Sequence, residues 1–132
     1  MDLSVFELAP EGAVLAIKHP ITREPLEIDG VPVTVTMVGP DSAEWRAVQR
    51  SIVDRRLKDR KASVSAEEIE AEAIRALAAC IKAWTGMRLN GVDLECNEAN
   101  KTMVLVKLPH FRRQIDEFLA HSENFLKASA QS

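Results

Sequence analysis

The side chains that are able to carry out catalysis or to bind a metal are few in this sequence. The three histidines, His19, His110 and His121, fall in different predicted elements. His110 and His121 lie on one predicted helix, about three turns apart, so that helix alone cannot bring both of them to one metal ion. We therefore interpret the histidines as solvated or capping residues.

The two cysteines, Cys80 and Cys96, are too few for a disulfide framework. Cys80 lies beside the apolar stripe of a predicted helix, where a thiol usually acts as a small core hydrophobe. A site made of Cys80, Cys96 and His110 lacks the closely spaced ligand pairs that are typical of zinc sites. The sequence thus predicts no metal and no other cofactor.

The carboxylates cluster at the start of a predicted helix, at Glu67, Glu68, Glu70 and Glu72. The helix macrodipole stabilises negative charge in the first turn, so the cluster needs no catalytic explanation. The sequence contains no glycine-rich phosphate loop, no GxSxG and no HExxH. We therefore expect a protein that is not an enzyme.

A basic run extends from Arg50 to Lys61, although the chain carries a net charge of −3. Such a run is typical of a solvated helix end. The alternative is a small nucleic-acid-associated regulator that contacts phosphates through Arg50–Lys61, and this would make binding depend steeply on salt. The overall charge favours no nucleic acid partner and no membrane partner. Acidic residues near the start, Asp2 and Glu7, are unlike a signal peptide and indicate an intracellular protein.

The pattern of elements predicts one domain over residues 1–132, of the α+β class and mainly α. A β-rich part (1–40) contains an N-terminal β-hairpin at about 24–38. A four-helix part (41–127) follows, and a tail (128–132) is expected to fray. In the hairpin, the turn is Asp29-Gly30, and the apolar residues alternate with threonines at Val33, Val35 and Met37.

The helix limits follow from capping residues and apolar spacing. The first helix begins after Asp41 or Ser42 and runs to about Arg60. The second has a capping box at Ser65–Glu68 and an apolar face at Ile69, Ala73, Leu77, Ile81 and Trp84, and Gly86 stops it. A tight turn at Asn90-Gly91 precedes the third helix, which is capped by Asn97 and covers about 98–107. The last helix covers about 110–127.

The order of these elements resembles that of the tail assembly chaperones of long-tailed, non-contractile (siphovirus) bacteriophages. The resemblance covers roughly residues 25–127. Its parts are a DG hairpin (IDGVPVTVTMVGP), a helix with a tryptophan (SAEWRAVQRSIVDRR), a segment ending in Trp-x-Gly (AIRALAACIKAWTGM), an NG turn (RLNGVDLE), a capped short helix (CNEANKTMVLVKLP) and an amphipathic end (FRRQIDEFLAHSENFLK).

The resemblance implies a non-catalytic chaperone that acts in the host cytoplasm and is not part of the mature virion. It implies binding to the tape measure protein, which it keeps soluble, and recruitment of the major tail (tube) protein. Repeated contacts along such a long partner suggest self-association. It also implies that ribosomal frameshifting near the end of the gene appends a second domain to some copies. The residues Phe125-Leu126-Lys127 permit a slippery heptamer in the gene.

These residues also allow a hypothesis for partner binding. Apolar patches beside the core stripes would hold amphipathic helices of the tape measure protein. The candidate partner-binding residues are Val48, Ile52, Leu57, Phe118 and Phe125. The alternative for each of them is a place in the core, because apolar stripes on helices usually face the core.

Overall fold

The computed structural model describes residues 2–59 and 63–130, and it confirms a mixed α+β fold in which helix predominates. Short 3-10 helices lie at Leu3–Phe6 and Ser122–Phe125. The strands and helices, in chain order, are β1 (Ala13–Ala16), β2 (Glu27–Ile28), β3 (Val31–Pro32), β4 (Thr34–Met37), α1 (Ala43–Asp59), α2 (Ala66–Cys80), β5 (Ile81–Thr85), β6 (Arg88–Leu89), β7 (Val92–Asp93), α3 (Glu98–Lys107), α4 (Pro109–Ala120) and α5 (Lys127–Ala130).

The central sheet is antiparallel and has the order β1-β4-β5. Its middle strand, β4, alternates as the sequence predicts. Val35 and Met37 are fully buried, at 0% exposure, and belong to the main core. Thr34 and Thr36 point to the other face and are partly exposed. One face of the sheet therefore packs against the helices while the other face meets solvent.

The predicted hairpin at about 24–38 is present as a shorter ladder than expected. Asp29 and Gly30 form the turn with positive φ angles of 51° and 79°, as a tight hairpin turn requires. This turn joins only β2 and β3, which have two residues each. β4 pairs instead with β1 and β5, which lie outside the predicted hairpin.

The prediction that the second helix continues to Trp84 is wrong, because α2 ends at Cys80 and Ile81–Thr85 is strand β5. The segment Ile81–Thr85 has isoleucine, tryptophan and threonine, which suit a strand as well as a helix. Pairing with β4 gives this segment interstrand hydrogen bonds, and these favour the strand over the helix. Gly86, which was expected to stop a helix, follows the strand in a left-handed conformation, with a φ of 70°. A Cβ there would lie 2.7 Å from the carbonyl oxygen of Pro32.

The predicted limits of the last helix are also wrong, since α4 ends at Ala120 and does not reach Lys127. Pro109 starts it at the first helical position, where a missing N–H has no cost. After the 3-10 turn, the chain pairs with its own N-terminal segment. The Ala9 N–H donates to the Phe125 carbonyl at 2.8 Å, and the Lys127 N–H donates to the Glu7 carbonyl at 2.9 Å. In the described part of the tail, residues up to Ala130 belong to α5.

The predicted caps are confirmed. The Ser65 hydroxyl accepts the Glu68 N–H at 3.1 Å, and the Asn97 side chain accepts the Asn100 N–H at 2.9 Å. Ser42 accepts the Trp45 N–H at 3.2 Å and so precedes α1. The expected end of α1 near Arg60 lies outside the described residues. The Asn90-Gly91 turn joins β6 to β7 as a very small hairpin.

The main core combines the inner face of the sheet with one face each of α2, α3 and α4. It includes Leu77, Leu105 and Ile115, all at most 5% exposed. α1 packs against α2 at the edge of this arrangement. No helix in the described ranges is both long enough and apolar enough to cross a membrane.

Candidate functional site

The two thiols do not offer a reactive nucleophile. Burial, together with the nearby Glu44 carboxylate, raises the pKa of Cys80 to about 12. Burial also raises the pKa of the Cys96 thiol above its ordinary value. Both thiols are therefore protonated at neutral pH, whereas nucleophilic attack requires the thiolate. The prediction that Cys80 is a small core residue is confirmed, because its side chain is fully buried.

The histidines are arranged in a way that the sequence did not predict. All three line one cavity of about 480 Å³ between the loop at residues 18–23 and α4. His19 acts as a cap, since its Nδ1 accepts the backbone N–H of Ile21 at 3.1 Å and of Thr22 at 3.3 Å. Across residues 2–59 and 63–130, no three His, Cys, Asp or Glu side chains are placed to hold a metal ion.

A mainly apolar groove of about 750 Å³ lies between α2 and α3, and we call it the α2–α3 groove. Ile74 and Leu105 form its buried floor, at 6% and 1% exposure. Val106 lines it and remains 63% exposed, although a valine on a helix usually packs against a neighbour. The start of α4, at Pro109, closes one end. The groove is therefore a concave apolar surface that residues 2–59 and 63–130 leave uncovered.

Two arginines on the rim of the groove have partners within the chain. The Arg112 guanidinium is hydrogen-bonded to Glu70 and lies 3.6 Å from Asp116. This pairing lowers the pKa of the Glu70 carboxyl and raises that of Arg112. Arg75 donates to the Ser51 hydroxyl at 3.0 Å. Arg112 and Glu70 therefore offset each other's charge at the rim, and the floor of the groove is apolar.

The five partner-binding residues predicted from the sequence divide into buried and accessible ones. Ile52 is 6% exposed and Phe125 is 2% exposed, so both belong to the interior and cannot form an open docking surface. This corrects the hypothesis for those two residues, because helix packing covers Ile52 and Phe125 packs on Gly39. Val48 is partly buried on α1, and Leu57, at 70% exposure, points to solvent. Phe118 is partly buried and meets Phe125 edge-on at 5.3 Å between ring centroids.

Sequence reasoning missed the residues of the groove. One signal was available in α3, where four apolar residues follow each other from Met103 to Val106. A single helix cannot turn four consecutive side chains toward one core, because each is rotated by about 100° from the last. Val104 and Leu105 are buried, so Val106 is left facing outward.

The basic run is not a continuous cationic surface over its described part. Asp54 and Asp59 lie among its arginines and lysines on α1. Arg56 pairs with Glu72 of α2 at 2.5 Å. The last two residues of the run, Arg60 and Lys61, lie outside the described residues. The arrangement agrees better with a solvated helix end than with a phosphate-binding surface.

A scan against protein-family models and searches of curated proteins and of solved structures found no match to this chain.

Proposed function

We propose that this chain is a non-catalytic tail assembly chaperone of a long-tailed, non-contractile bacteriophage. In this role it binds amphipathic helices of the tape measure protein and keeps that protein soluble. The observation that carries the proposal is the uncovered α2–α3 groove. A concave apolar surface between two helices can hold the apolar face of an amphipathic partner helix.

The dimensions of the groove suit a helix. α3 has ten residues and therefore extends about 15 Å. A partner helix lying along it would place apolar residues at i, i+3, i+4 and i+7 in contact with the floor. A tape measure protein, being long and helical, offers many such segments.

The identity of the partner comes from the order of elements and the motifs that resemble tail assembly chaperones. Most of these motifs keep a definite place in the fold. Trp84 of the Trp-x-Gly motif donates its indole N–H to the Leu94 carbonyl at 2.9 Å and so joins β5 to the segment before α3. The proposal includes recruitment of the major tail protein, self-association, action in the host cytoplasm and absence from the mature virion.

Co-expression with the tape measure protein tests the groove directly. Val106→Lys places a charge in the groove, and lysine suits the C-terminal turn of α3. Val92→Lys is the matched control, because Val92 is 60% exposed in the β6–β7 hairpin, against 63% for Val106. Leu57→Lys tests the α1 surface that the sequence suggested. We expect V106K to lower the soluble, co-purifying tape measure protein strongly, and V92K to leave it unchanged.

Each outcome has a definite meaning. If L57K lowers recovery and V106K does not, the partner binds α1 and the groove assignment is wrong. If the unmodified chain neither solubilises nor captures the tape measure protein, the chaperone proposal fails. DNA or RNA binding that persists at physiological salt and falls steeply with added salt would favour the nucleic-acid-associated regulator instead.

A further inference from the structure

The cavity that contains the three histidines is also rich in permanent positive charge. Lys18 and Arg23 line it from the loop at residues 18–23, and Arg113 lines it from α4. Glu117 is the carboxylate that lines the same cavity. We call this cavity the basic cleft. The cations are concentrated here although the whole chain carries a net charge of −3.

The cations of the basic cleft have no carboxylate partner in the part of the chain that the structure describes. Neither Lys18 nor Arg23 forms a side-chain ion pair there. Among the described residues, the Arg113 guanidinium has the His110 Nδ1 as its side-chain hydrogen-bond neighbour, at 3.4 Å. Their charges therefore remain available to an anion from solution, and a concave site strengthens that attraction by reducing its exposure to water.

Two of the histidines present a hydrogen-bond donor. The Nδ1 of His19 accepts two backbone N–H groups, so the proton of the neutral ring must lie on Nε2. The Nδ1 of His110 faces the Arg113 guanidinium, which can only donate, and the same reasoning gives His110 an Nε2–H donor. The cleft thus combines cationic groups with donors that are already oriented by the fold.

The loop that forms one wall of the cleft is held firmly on α4. The Gln114 side chain accepts the Lys18 N–H at 2.8 Å and donates to the Lys18 carbonyl at 2.9 Å. Arg23 has a φ of 66°, a conformation that residues other than glycine adopt at a cost. Its own N–H donates to the His19 carbonyl at 2.9 Å, which closes the loop. The wall is therefore preorganised and does not need a ligand to order it.

We propose that the basic cleft is a binding site for a small oxyanion ligand, one that carries phosphate or carboxylate groups. Arginine forms charge-assisted hydrogen bonds with the oxygens of both groups, and imidazole N–H donors complete their coordination. A volume of about 480 Å³ is within the range of sites for small molecules. The site is separate from the α2–α3 groove and does not depend on the chaperone proposal.

The test is a titration of the full chain, followed by ¹H–¹⁵N NMR at constant pH and ionic strength. The probes are inorganic phosphate and citrate, and sodium chloride is the reference anion. The variants are Arg113→Glu, which reverses a cleft charge, and Arg23→Gly, which removes a guanidinium while accepting the positive φ. Arg46→Glu on α1 is the matched control, because Arg46 is exposed and lies outside the cleft.

We expect phosphate or citrate to cause saturable shifts centred on residues 18–23 and 110–124. R113E should weaken the affinity about tenfold or more, as loss of a charge-assisted hydrogen bond does. R23G should weaken it as well, and R46E should leave it unchanged. Saturation by one probe alone would identify that group as the ligand chemistry. Shifts no larger than those with chloride, or an equal loss of affinity in R46E and R113E, would overturn the proposal.

Discussion

Two adjacent arginines on α4 line two different concave surfaces. Arg112 lines the α2–α3 groove and Arg113 lines the basic cleft. Arg112 is paired with Glu70 and Asp116. Arg113 has a histidine as its neighbour and, within the described residues, no carboxylate partner. The side chains of consecutive residues in a helix point about 100° apart, so Arg112 and Arg113 face two different environments.

The difference in ion pairing between Arg112 and Arg113 indicates which kind of ligand each surface can bind. In the groove, Arg112 pairs with carboxylates of the same chain, and the floor offers apolar area to a partner. In the cleft, the charges of Lys18, Arg23 and Arg113 are available to a ligand. Specificity in the groove should therefore come from burial of apolar side chains, and specificity in the cleft from charge and hydrogen-bond geometry.

The largest expected effect concerns the floor of the groove, which is also part of the core. Leu105→Ala should lower the free energy of unfolding by about 2–5 kcal/mol, because it removes buried volume and leaves a cavity. Leu57→Ala, at an exposed leucine on α1, should change it by less than about 0.5 kcal/mol. Urea denaturation measures both. Similar losses in the two variants would mean that Leu105 is not buried as described.

A smaller effect on the free energy of unfolding is expected for the wall of the basic cleft, which hydrogen bonds hold on α4. Gln114→Ala removes both hydrogen bonds to the Lys18 backbone and should cost about 1–2 kcal/mol. Glu117→Ala, on the same side of α4, should stay within about 0.5 kcal/mol. Hydrogen exchange at the Lys18 amide should accelerate in the first variant alone. Unchanged exchange there would show that the loop is held by other contacts.

The smallest effect concerns the charge pair on the rim of the groove. Arg112→Ala should raise the pKa of Glu70 toward its ordinary value, while Arg113→Ala should leave it unchanged. Because the folded-state pKa of Glu70 lies below its unfolded value, the pairing stabilises the fold above the unfolded pKa. That stabilisation is lost as the pH falls through the lowered folded value. Carboxyl NMR titration of both variants measures the shift, and equal pKa changes would contradict the contrast between the two arginines.

Local signals predicted much of the fold. The alternation of β4, the caps at Ser65 and Asn97 and the bounds of α3 all depend on residues close to each other in the sequence. The wrong predictions concern segments whose secondary structure depends on contacts with distant parts of the chain. Ile81–Thr85 satisfies both a helical and a strand pattern, and only its pairing with β4 makes it a strand. The last helix ends early where the chain meets its N-terminal segment.

The sites were harder to predict for the same reason. His19 lies far in sequence from His110 and His121, and tertiary contacts, among them the hydrogen bonds between Gln114 and Lys18, bring the loop and α4 together. Two of the partner-binding residues inferred from apolar stripes, Ile52 and Phe125, are buried. The sequence could not show this, because an apolar stripe indicates amphipathicity and does not distinguish a core contact from a partner contact.

The most direct test of the central claim is hydrogen–deuterium exchange of the full chain with and without a helical segment of the tape measure protein. Binding in the α2–α3 groove predicts added protection at residues 66–75 and 98–109, and loss of that protection in V106K but not in V92K. Protection confined to α1, or the same protection in V106K as in the unmodified chain, would contradict the account.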